Sequence, residues 1–202
     1  MSSVEDVVAA IAAGELVVLP TDTVYGLACT PEREEAARAL SALKGRPSGQ
    51  PLALLAPSVD RLLELIPELR GRSEAVARRL LPGPYTLVFP NVARRYEWLT
   101  GIHPETIGVR VPAFDGPGRE VLERVGAVAA TSANRHGGAD PRSLEDVPAE
   151  IRASVAAALD AGELPGVPST VLDLTGEEPR VLREGAVPSR EAVARLRGQA
   201  EA

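Results

Sequence analysis

The alternation of strand-like and helix-like patterns from end to end is the feature that most restricts the fold of this chain. Apolar runs such as "ELVVLP", "PLALLA" and "AVAATS" are typical of strands. They alternate with segments such as "EEAARALSAL" and "GREVLERVG", whose apolar residues recur at helical spacing. This order predicts an α/β fold with an open sheet. Because no helix is predicted between the strands "YTLVFP" and "IGVRVP", we expect a mixed sheet.

Capping residues predict several helix boundaries. Ser3 and Asp6 mark the start of a first helix and Gly14 marks its end. Ser189 is the expected cap of a final helix in "SREAVARLRG". The segment "PAEIRASVAAALDAG" predicts one long helical stretch between them.

Length and composition limit the domain organisation and exclude several kinds of site. No repeat or flexible linker divides the 202 residues, so we expect one domain over 1–202, with its core at about 4–187 and the last helix at about 189–198. The net charge of −6 disfavours a protein that coats nucleic acid, but leaves a local basic cleft open. One cysteine and two histidines exclude an internal disulfide and thiol- or histidine-rich metal sites. The N-terminus carries neither a targeting region nor a membrane span, so we expect a cytoplasmic protein that does not contact a membrane.

Four polar segments follow or precede predicted strands, where ligands bind in open α/β sheets: "PTDTVYGL", "KGRPSGQPL", "TSANRHGG" and "GVPSTVLD". Each alone is more often an ordinary turn or helix end. Together they combine Lys44, the only lysine among 22 basic residues, with Arg46, several hydroxyls and an asparagine. Such groups suit a polyanion and a small polar molecule. No Walker, Rossmann, nucleophile-elbow or HExxH motif is present.

The same segments, in this order, resemble the threonylcarbamoyl-AMP synthase family, also called YrdC-like or TsaC-like proteins. The resemblance begins at "LPTDTVYGL", continues through "ALKGRPSGQPLALL", "LPGPYTLVFP", "TIGVRVPAF" and "AATSANRHGGADP", and ends at "PSTVLDLT" and "VLREGAV". It therefore covers most of the chain and matches the short, single-domain form. For the fold, it implies a twisted mixed sheet with flanking helices around a large concave cavity.

For the function, the resemblance implies that ATP, L-threonine and bicarbonate or carbon dioxide give L-threonylcarbamoyl-AMP and pyrophosphate. This product serves the N6-threonylcarbamoyl modification of adenosine 37 in tRNA, through a downstream transferase complex. Mg²⁺ is expected to accompany ATP without a dedicated protein site. A rival interpretation is a double-stranded RNA- or tRNA-binding module, and another is a weakly active paralogue. A weak tRNA contact is compatible with the synthase itself.

The resemblance also implies roles for individual residues. The family's KxR and SxN elements fall on the expected catalytic residues, Lys44, Arg46, Ser132 and Asn134. Threonine would be contacted by Thr23, Arg110, Ser132 and Ser169. ATP would be contacted by Lys44, Arg46, Ser48, Leu52, Thr106, Asn134, Arg142 and Arg183.

Two positions depart from the family pattern. Arg142 stands where relatives carry a small hydroxyl residue, and Pro57 stands where some relatives have a histidine. The first departure leaves the nucleotide contact at Arg142 open, although an arginine could reach a phosphate.

Overall fold

A computed structural model describes residues 2–47 and 49–198. Within these residues, nine strands form one sheet in the order β7-β1-β2-β6-β3-β5-β4-β8-β9. Three neighbouring pairs are parallel, and the other five are antiparallel. The expectation of an α/β fold with a mixed sheet is confirmed. The strands are β1 (Val17–Leu19), β2 (Gly26–Cys29), β3 (Ala53–Leu55), β4 (Tyr85–Pro90), β5 (Thr106–Arg110), β6 (Val128–Ser132), β7 (Ala157–Ala158), β8 (Thr170–Asp173) and β9 (Arg180–Arg183).

Seven helices of the described chain flank the sheet, with two short 3₁₀ turns at Pro67–Leu69 and Glu97–Leu99. No helix within residues 2–47 and 49–198 is long and apolar enough to cross a membrane. The helices are α1 (Val4–Ala13), α2 (Glu34–Lys44), α3 (Val59–Leu65), α4 (Arg72–Leu80), α5 (Pro117–Val125), α6 (Ala149–Ser154) and α7 (Ser189–Arg197).

The predicted boundaries of the first helix are confirmed. Ser3 and Asp6 form a reciprocal capping box, in which Asp6 N–H donates to Ser3 Oγ at 3.2 Å and Ser3 N–H donates to Asp6 Oδ2 at 2.8 Å. Gly14 ends α1 with a φ of 88°, a backbone conformation that glycine adopts without steric cost.

Two predictions about later elements were wrong. The long helix expected over "PAEIRASVAAALDAG" stops at Ser154, and Ala157–Ala158 instead pairs in parallel with β1 as β7. Ser189 is not the cap of α7 but its first residue, after Pro188. Its N–H and hydroxyl both donate to Glu184, so this carboxylate satisfies the donors at the helix start.

The two faces of the sheet are covered to different extents. On one face α2, α3 and α4 pack over a large core that includes Leu40, Leu62 and Leu87. Burial of each such side chain stabilises the fold by about 2 kcal/mol. On the other face α1 and α5 cover one end of the sheet through a smaller core that includes Val7 and Val121. The rest of this second face is the wall of a cavity.

Candidate functional site

The cavity has a volume of about 260 Å³ and is open on one side. Its wall is built mainly from strand residues spaced two apart, as expected for side chains on one face of a sheet. On β5 these residues are Thr106, Gly108 and Arg110, and on β4 they are Thr86 and Val88. No helix residue of the described chain lines the cavity. The sheet face therefore reaches the solvent through this opening.

Small residues make the floor of the cavity deep. Gly26, Ala53, Gly108 and Ala130 lie on four different strands of the exposed face. A Cβ added at Gly108 would lie 3.6 Å from Thr86 Cγ2, which is an ordinary contact distance. The space above Gly108 is therefore free for a ligand and is not occupied by neighbouring side chains.

The loop between β1 and β2 is organised by a threonine hydroxyl. Thr21 Oγ1 donates to Val24 O at 2.7 Å and accepts the N–H groups of Thr23 and Val24 at 3.2 and 3.3 Å. This local pattern is a side-chain-stabilised turn. It places Asp22 and Thr23 at the end of the sheet, beside the terminus of β5.

Arg110 forms a buried ion pair with this loop. Its Nη2 donates to Asp22 Oδ1 at 2.7 Å and to Thr23 Oγ1 at 3.2 Å, and Asp22 Oδ2 accepts the N–H of Ala113 at 3.0 Å. Burial raises the pKa of Asp22 against the opposing effect of Arg110. Burial likewise lowers the pKa of Arg110, but a guanidinium stays protonated in proteins. We therefore treat the pair as ionised.

Arg110 retains donors that the protein does not use. It is 8% exposed and lines the cavity, and its Nε–H has no hydrogen-bond acceptor among the described residues. Leaving a buried charged donor unpaired costs roughly 1–3 kcal/mol. The Nη1 hydrogens also donate to no described residue, and they remain available to a ligand in the cavity.

The end of α2 sends Lys44 and Arg46 to different places. Gly45 between them has a φ of 67°, and the N–H groups of Gly45 and Arg46 donate to the carbonyls of Ala42 and Ser41. This left-handed cap turns the chain away from the helix axis. Arg46 thereby reaches the cavity, whereas Lys44 does not line it.

Lys44 lies beneath the turn that follows β6. Its Nζ donates to Ser132 O at 2.6 Å, to Asn134 O at 3.0 Å and to Asn134 Oδ1. The side chain is 5% exposed. Burial, together with the nearby Arg46 charge, lowers the pKa of Lys44 to about 8, although Asp140 acts in the opposite direction.

Two further arginines are aligned by neutral partners. Arg46 donates from Nε to Gln50 Oε1 at 3.1 Å and from Nη1 to Thr131 Oγ1 at 2.8 Å. Arg183 donates from Nη2 to Ser169 O at 2.8 Å, and Ser169 Oγ lies 2.8 Å from Thr86 Oγ1. Neither arginine is paired with a carboxylate in the described chain. Burial lowers the pKa of Arg46, and the positive charge of Arg183 lowers it further. Both guanidinium groups can therefore neutralise an anionic ligand.

The structure brings most of the expected site residues to this cavity. Those that line it are Arg46, Leu52, Thr106, Arg110, Ser132, Ser169 and Arg183. Thr23 and Asn134 lie one layer behind, where Thr23 contacts Arg110 and Asn134 contacts Lys44 and Ser132. Ser48 lies outside the described residues.

Arg142 is not brought to the cavity. It is exposed and pairs with Glu163 at 2.7 Å on a separate surface depression that also contains Asp146 and Asp160. The carboxylates around it make this depression unsuitable for a phosphate. In this arrangement Arg142 gives no support to the expected nucleotide contact.

Sequence reasoning missed the residues that orient the arginines. Asp22 and Thr131 lie inside two of the polar segments, and Gln50 lies inside a third, so their positions were signalled but their roles were not. Thr86 lies in an ordinary strand pattern, and nothing in the sequence indicated that it would contact the site. Pro57, noted as a departure, does not line the cavity.

Comparison with known proteins identifies relatives over most of the chain. Residues 9–185 match the sequence model of the Sua5/YciO/YrdC family, which carries the description "Telomere recombination". A Pyrococcus abyssi protein named threonylcarbamoyl-AMP synthase is 38% identical over 181 residues, covering 88% of this chain but only 52% of the relative. A Sodalis glossinidius protein of the same name is 35% identical over 191 residues, covering 91% of this chain and 98% of the relative.

Solved structures show the same fold. A crystal structure of P. abyssi Sua5 complexed with L-threonine has a TM-score of 0.83 and 32% identity, covering 97% of this chain and 57% of that protein. The crystal structure of Escherichia coli YciO has a TM-score of 0.82 and 26% identity, covering 94% of this chain and 92% of that protein. The chain thus spans about half of the P. abyssi relative and nearly all of the shorter ones.

Proposed function

The chain belongs to the Sua5/YciO/YrdC family, and from this premise we propose that it is an L-threonylcarbamoyladenylate synthase. In this reaction ATP, L-threonine and bicarbonate or carbon dioxide give L-threonylcarbamoyl-AMP and pyrophosphate. Relatives named for this activity are 35% and 38% identical, and the P. abyssi Sua5 structure contains L-threonine.

The observation that carries the proposal is the charge of the cavity. Three guanidinium groups, those of Arg46, Arg110 and Arg183, line it, and no carboxylate of the described chain does. Asp22 neutralises one of them from behind. An excess of positive charge in a partly enclosed space suits a polyphosphate together with a second, smaller anion. The protein as a whole has a net charge of −6, so this excess of positive charge is a local property of the cavity.

Threonine is best accommodated at Arg110. Arg110 Nη2 already donates to Asp22 and Thr23, so the two Nη1 hydrogens, which no described residue accepts, are the charge-assisted donors left for a carboxylate. Ser132 and Ser169 line the cavity as well and offer neutral hydrogen bonds to the amine and hydroxyl of threonine. Thr23 acts on this site through Arg110.

ATP is best accommodated between Arg46 and Arg183, with Thr106 and Leu52 on the same wall. No group of three or more His, Cys, Asp or Glu side chains in the described chain is arranged to hold a metal ion. Mg²⁺ would therefore enter with ATP, held by phosphate oxygens and water, and would neutralise charge on the phosphates.

The reaction needs no protein nucleophile. The amine of threonine forms a C–N bond to carbon dioxide and loses a proton, which gives a carbamate. A carbamate oxygen then attacks the α-phosphorus of ATP, the bond from that phosphorus to the bridging oxygen breaks, and pyrophosphate leaves. The chain contributes by positioning the reactants and by stabilising the developing negative charge through Arg46 and Arg183.

The product would pass to a downstream tRNA threonylcarbamoyl transferase complex for N6-threonylcarbamoylation of adenosine 37. Such a transfer would take place in the cytoplasm, where tRNA is modified. A weak, direct tRNA contact is compatible with this step, because arginines that line the cavity can meet a phosphate.

The proposal is tested by measuring pyrophosphate release while each reactant is left out in turn. We expect release only when threonine, bicarbonate, ATP and Mg²⁺ are all present. Release that continues without threonine would reject the proposal.

Arg110→Ala should raise the threonine KM by roughly tenfold to a hundredfold, because a charge-assisted pair is lost, and should change the ATP KM far less. Arg119→Ala is the control, since Arg119 is half-buried on α5 and, among the described residues, pairs only with Glu123. Equal effects of Arg110→Ala on both substrates would remove Arg110 from the threonine site.

A further inference from the structure

The lone lysine lies on the wrong side of the β6 terminus to meet a ligand in the cavity. It is the last residue of α2, and α2 packs on the helix-covered face of the sheet through Leu40. The cavity is on the opposite face, where Ala130 and Ser132 of β6 point. Lys44 therefore approaches the turn after β6 from behind.

The hydrogen count leaves Lys44 no donor for a phosphate. An ammonium has three N–H donors and no acceptor. Three oxygens that can only accept take them, namely Ser132 O at 2.6 Å, Asn134 O at 3.0 Å and Asn134 Oδ1. Ser132 Oγ, at 3.3 Å, is a fourth and longer contact. A phosphate could bind this ammonium only by displacing one of these partners.

We propose that Lys44 is a positioning residue, whose ammonium holds Ser132 and Asn134 in place from the helix-covered side and does not contact ATP. The inference deepens the proposed function, on which it rests, by separating the two cations of the KxR element. Arg46 meets the ligand, and Lys44 fixes the turn that carries the SxN element.

The hydrogen bonds around Lys44 also determine which way the Ser132 hydroxyl points. Ser132 Oγ donates to Asn134 Oδ1 at 2.7 Å, and the same amide oxygen is held by Lys44. Asn134 is fixed in turn, because its Nδ2 donates to Gly138 O at 2.6 Å. With its hydrogen used in this way, Ser132 offers the cavity a lone pair. It can therefore accept a hydrogen bond from the amine of threonine and align that amine for attack.

Because the chain contains a single lysine, side-chain NMR with ¹⁵Nζ-labelled lysine gives one Lys44 signal without assignment. We expect this signal to titrate near 8 in the folded protein and to return to the ordinary lysine range in urea. In Lys44→Met, backbone amide signals of residues 132–138 should move, whereas in Arg38→Gln they should not. Arg38 is the matched control, because it lies on the same helix and, in the part of the chain that the structure describes, pairs only with Glu34 at the surface. These readouts do not require the enzyme to be active.

The functional test is a double-mutant cycle with Ser132→Ala, combined with binding of a non-hydrolysable ATP analogue. We expect Lys44→Met to lower kcat by about tenfold or more, to leave the dissociation constant of the analogue within about threefold, and to add little to Ser132→Ala. If Lys44→Met unfolds, Lys44→Arg replaces it, since a guanidinium is too wide for the three oxygens around Nζ.

The pH profile separates a positioning ammonium from a general base. Only the charged form has three donors, so kcat should fall as the pH rises through the Lys44 pKa of about 8. A rise of kcat over this range that disappears in Lys44→Met would identify a base and overturn the proposal. An analogue dissociation constant raised about tenfold or more, with additive effects in the cycle, would make Lys44 a phosphate contact and overturn it as well.

If the parent protein releases no pyrophosphate in response to threonine, the proposed function fails. The amide shifts and the analogue affinity would still decide the position of Lys44.

Discussion

At the scale of single residues, the ion pair of Asp22 and Arg110 determines what the cavity offers to a carboxylate. Both oxygens of Asp22 are used by protein donors, one by Arg110 and the other by the N–H of Ala113. The carboxylate therefore cannot turn toward the cavity. It fixes Arg110 through Nη2 and leaves Nη1 to the ligand.

Asp22→Ala should impair threonine binding and stability together. Removal of one partner of a buried pair leaves an uncompensated charge, which costs about 3–5 kcal/mol of unfolding free energy. The variant should also raise the threonine KM by roughly tenfold, because Asp22 no longer orients Arg110. The ATP KM should change little. Urea unfolding and steady-state kinetics measure the two effects.

The matched control is Glu64→Ala. It removes a carboxylate that pairs with Arg61 at the same distance of 2.7 Å, but at the surface. Exposed pairs contribute about 0–1 kcal/mol, so both readouts should stay near those of the parent. If Asp22→Ala behaved like this control, Asp22 would have no positioning role.

Single-residue roles were only partly predictable from sequence. The segment "PTDTVYGL" pointed to the right loop, but Asp22 and Arg110 are 88 positions apart and meet only in the fold. Lys44 and Arg46 are two positions apart, yet the left-handed Gly45 sends their side chains to different places. Local spacing can indicate a cluster of polar groups, but it does not give the direction in which each one points.

At the scale of elements, β5 supplies both polar side chains of the site and the open space beside them. Thr106, Gly108 and Arg110 face the cavity, whereas Ile107 and Val109 face the large core. A larger residue at Gly108 should therefore remove ligand space without disturbing the core. Gly108→Val should lower kcat/KM by roughly a hundredfold and leave the Tm equal or higher, because valine favours strands.

Gly108→Ala provides a graded comparison, with a smaller loss expected. Gly176→Ala is the control, since Gly176 does not line the cavity and a Cβ there would have only Glu178 O within 4 Å, at 3.8 Å. Kinetics and thermal unfolding of the three variants measure the effect. A Gly108→Val enzyme with parental kcat/KM would show that substrates do not occupy the floor of the cavity.

Most elements were predictable because their patterns were locally consistent. The exception is "SVAAALDAG", whose alanines favour a helix. Val155 is instead extended, and the following residues add a strand beside β1, with the Ala156 N–H donating to Leu16 O at 2.9 Å. Pairing with a distant strand thus outweighs the local preference, and no window of the sequence contains that information.

At the scale of the whole molecule, an acidic protein encloses a cationic cavity. Inorganic triphosphate should therefore bind and stabilise the folded state even without threonine. At about a hundred times its dissociation constant, a ligand adds about 2.7 kcal/mol, which corresponds to a Tm increase of roughly 5–10 °C for a chain of this size. Arg46→Gln should clearly reduce this increase, whereas Arg119→Gln should not. An unchanged Tm of the parent protein would show that the cavity does not bind polyphosphate.

The same charge distribution disfavours a role as an RNA-coating protein. With a net charge of −6, affinity for duplex RNA should be weak and independent of sequence at about 150 mM salt. Fluorescence anisotropy with a labelled duplex measures it. Sub-micromolar binding under these conditions would support the RNA-binding interpretation instead.

The strand order also determines when a newly synthesised chain can form the ligand cavity. Arg110 of β5 lies beside β3 and β4, and the cavity wall extends in sequence from Thr21 to Arg183. At ribosomal speeds of about 5–20 residues per second, the last of these residues is synthesised roughly 10–30 s after the first. Such distant pairings make folding slow, because the entropy of closing long loops is lost before the stabilising contacts form. A nascent chain therefore lacks a complete cavity until Arg183 has been synthesised, and products truncated before this residue cannot hold the ligand.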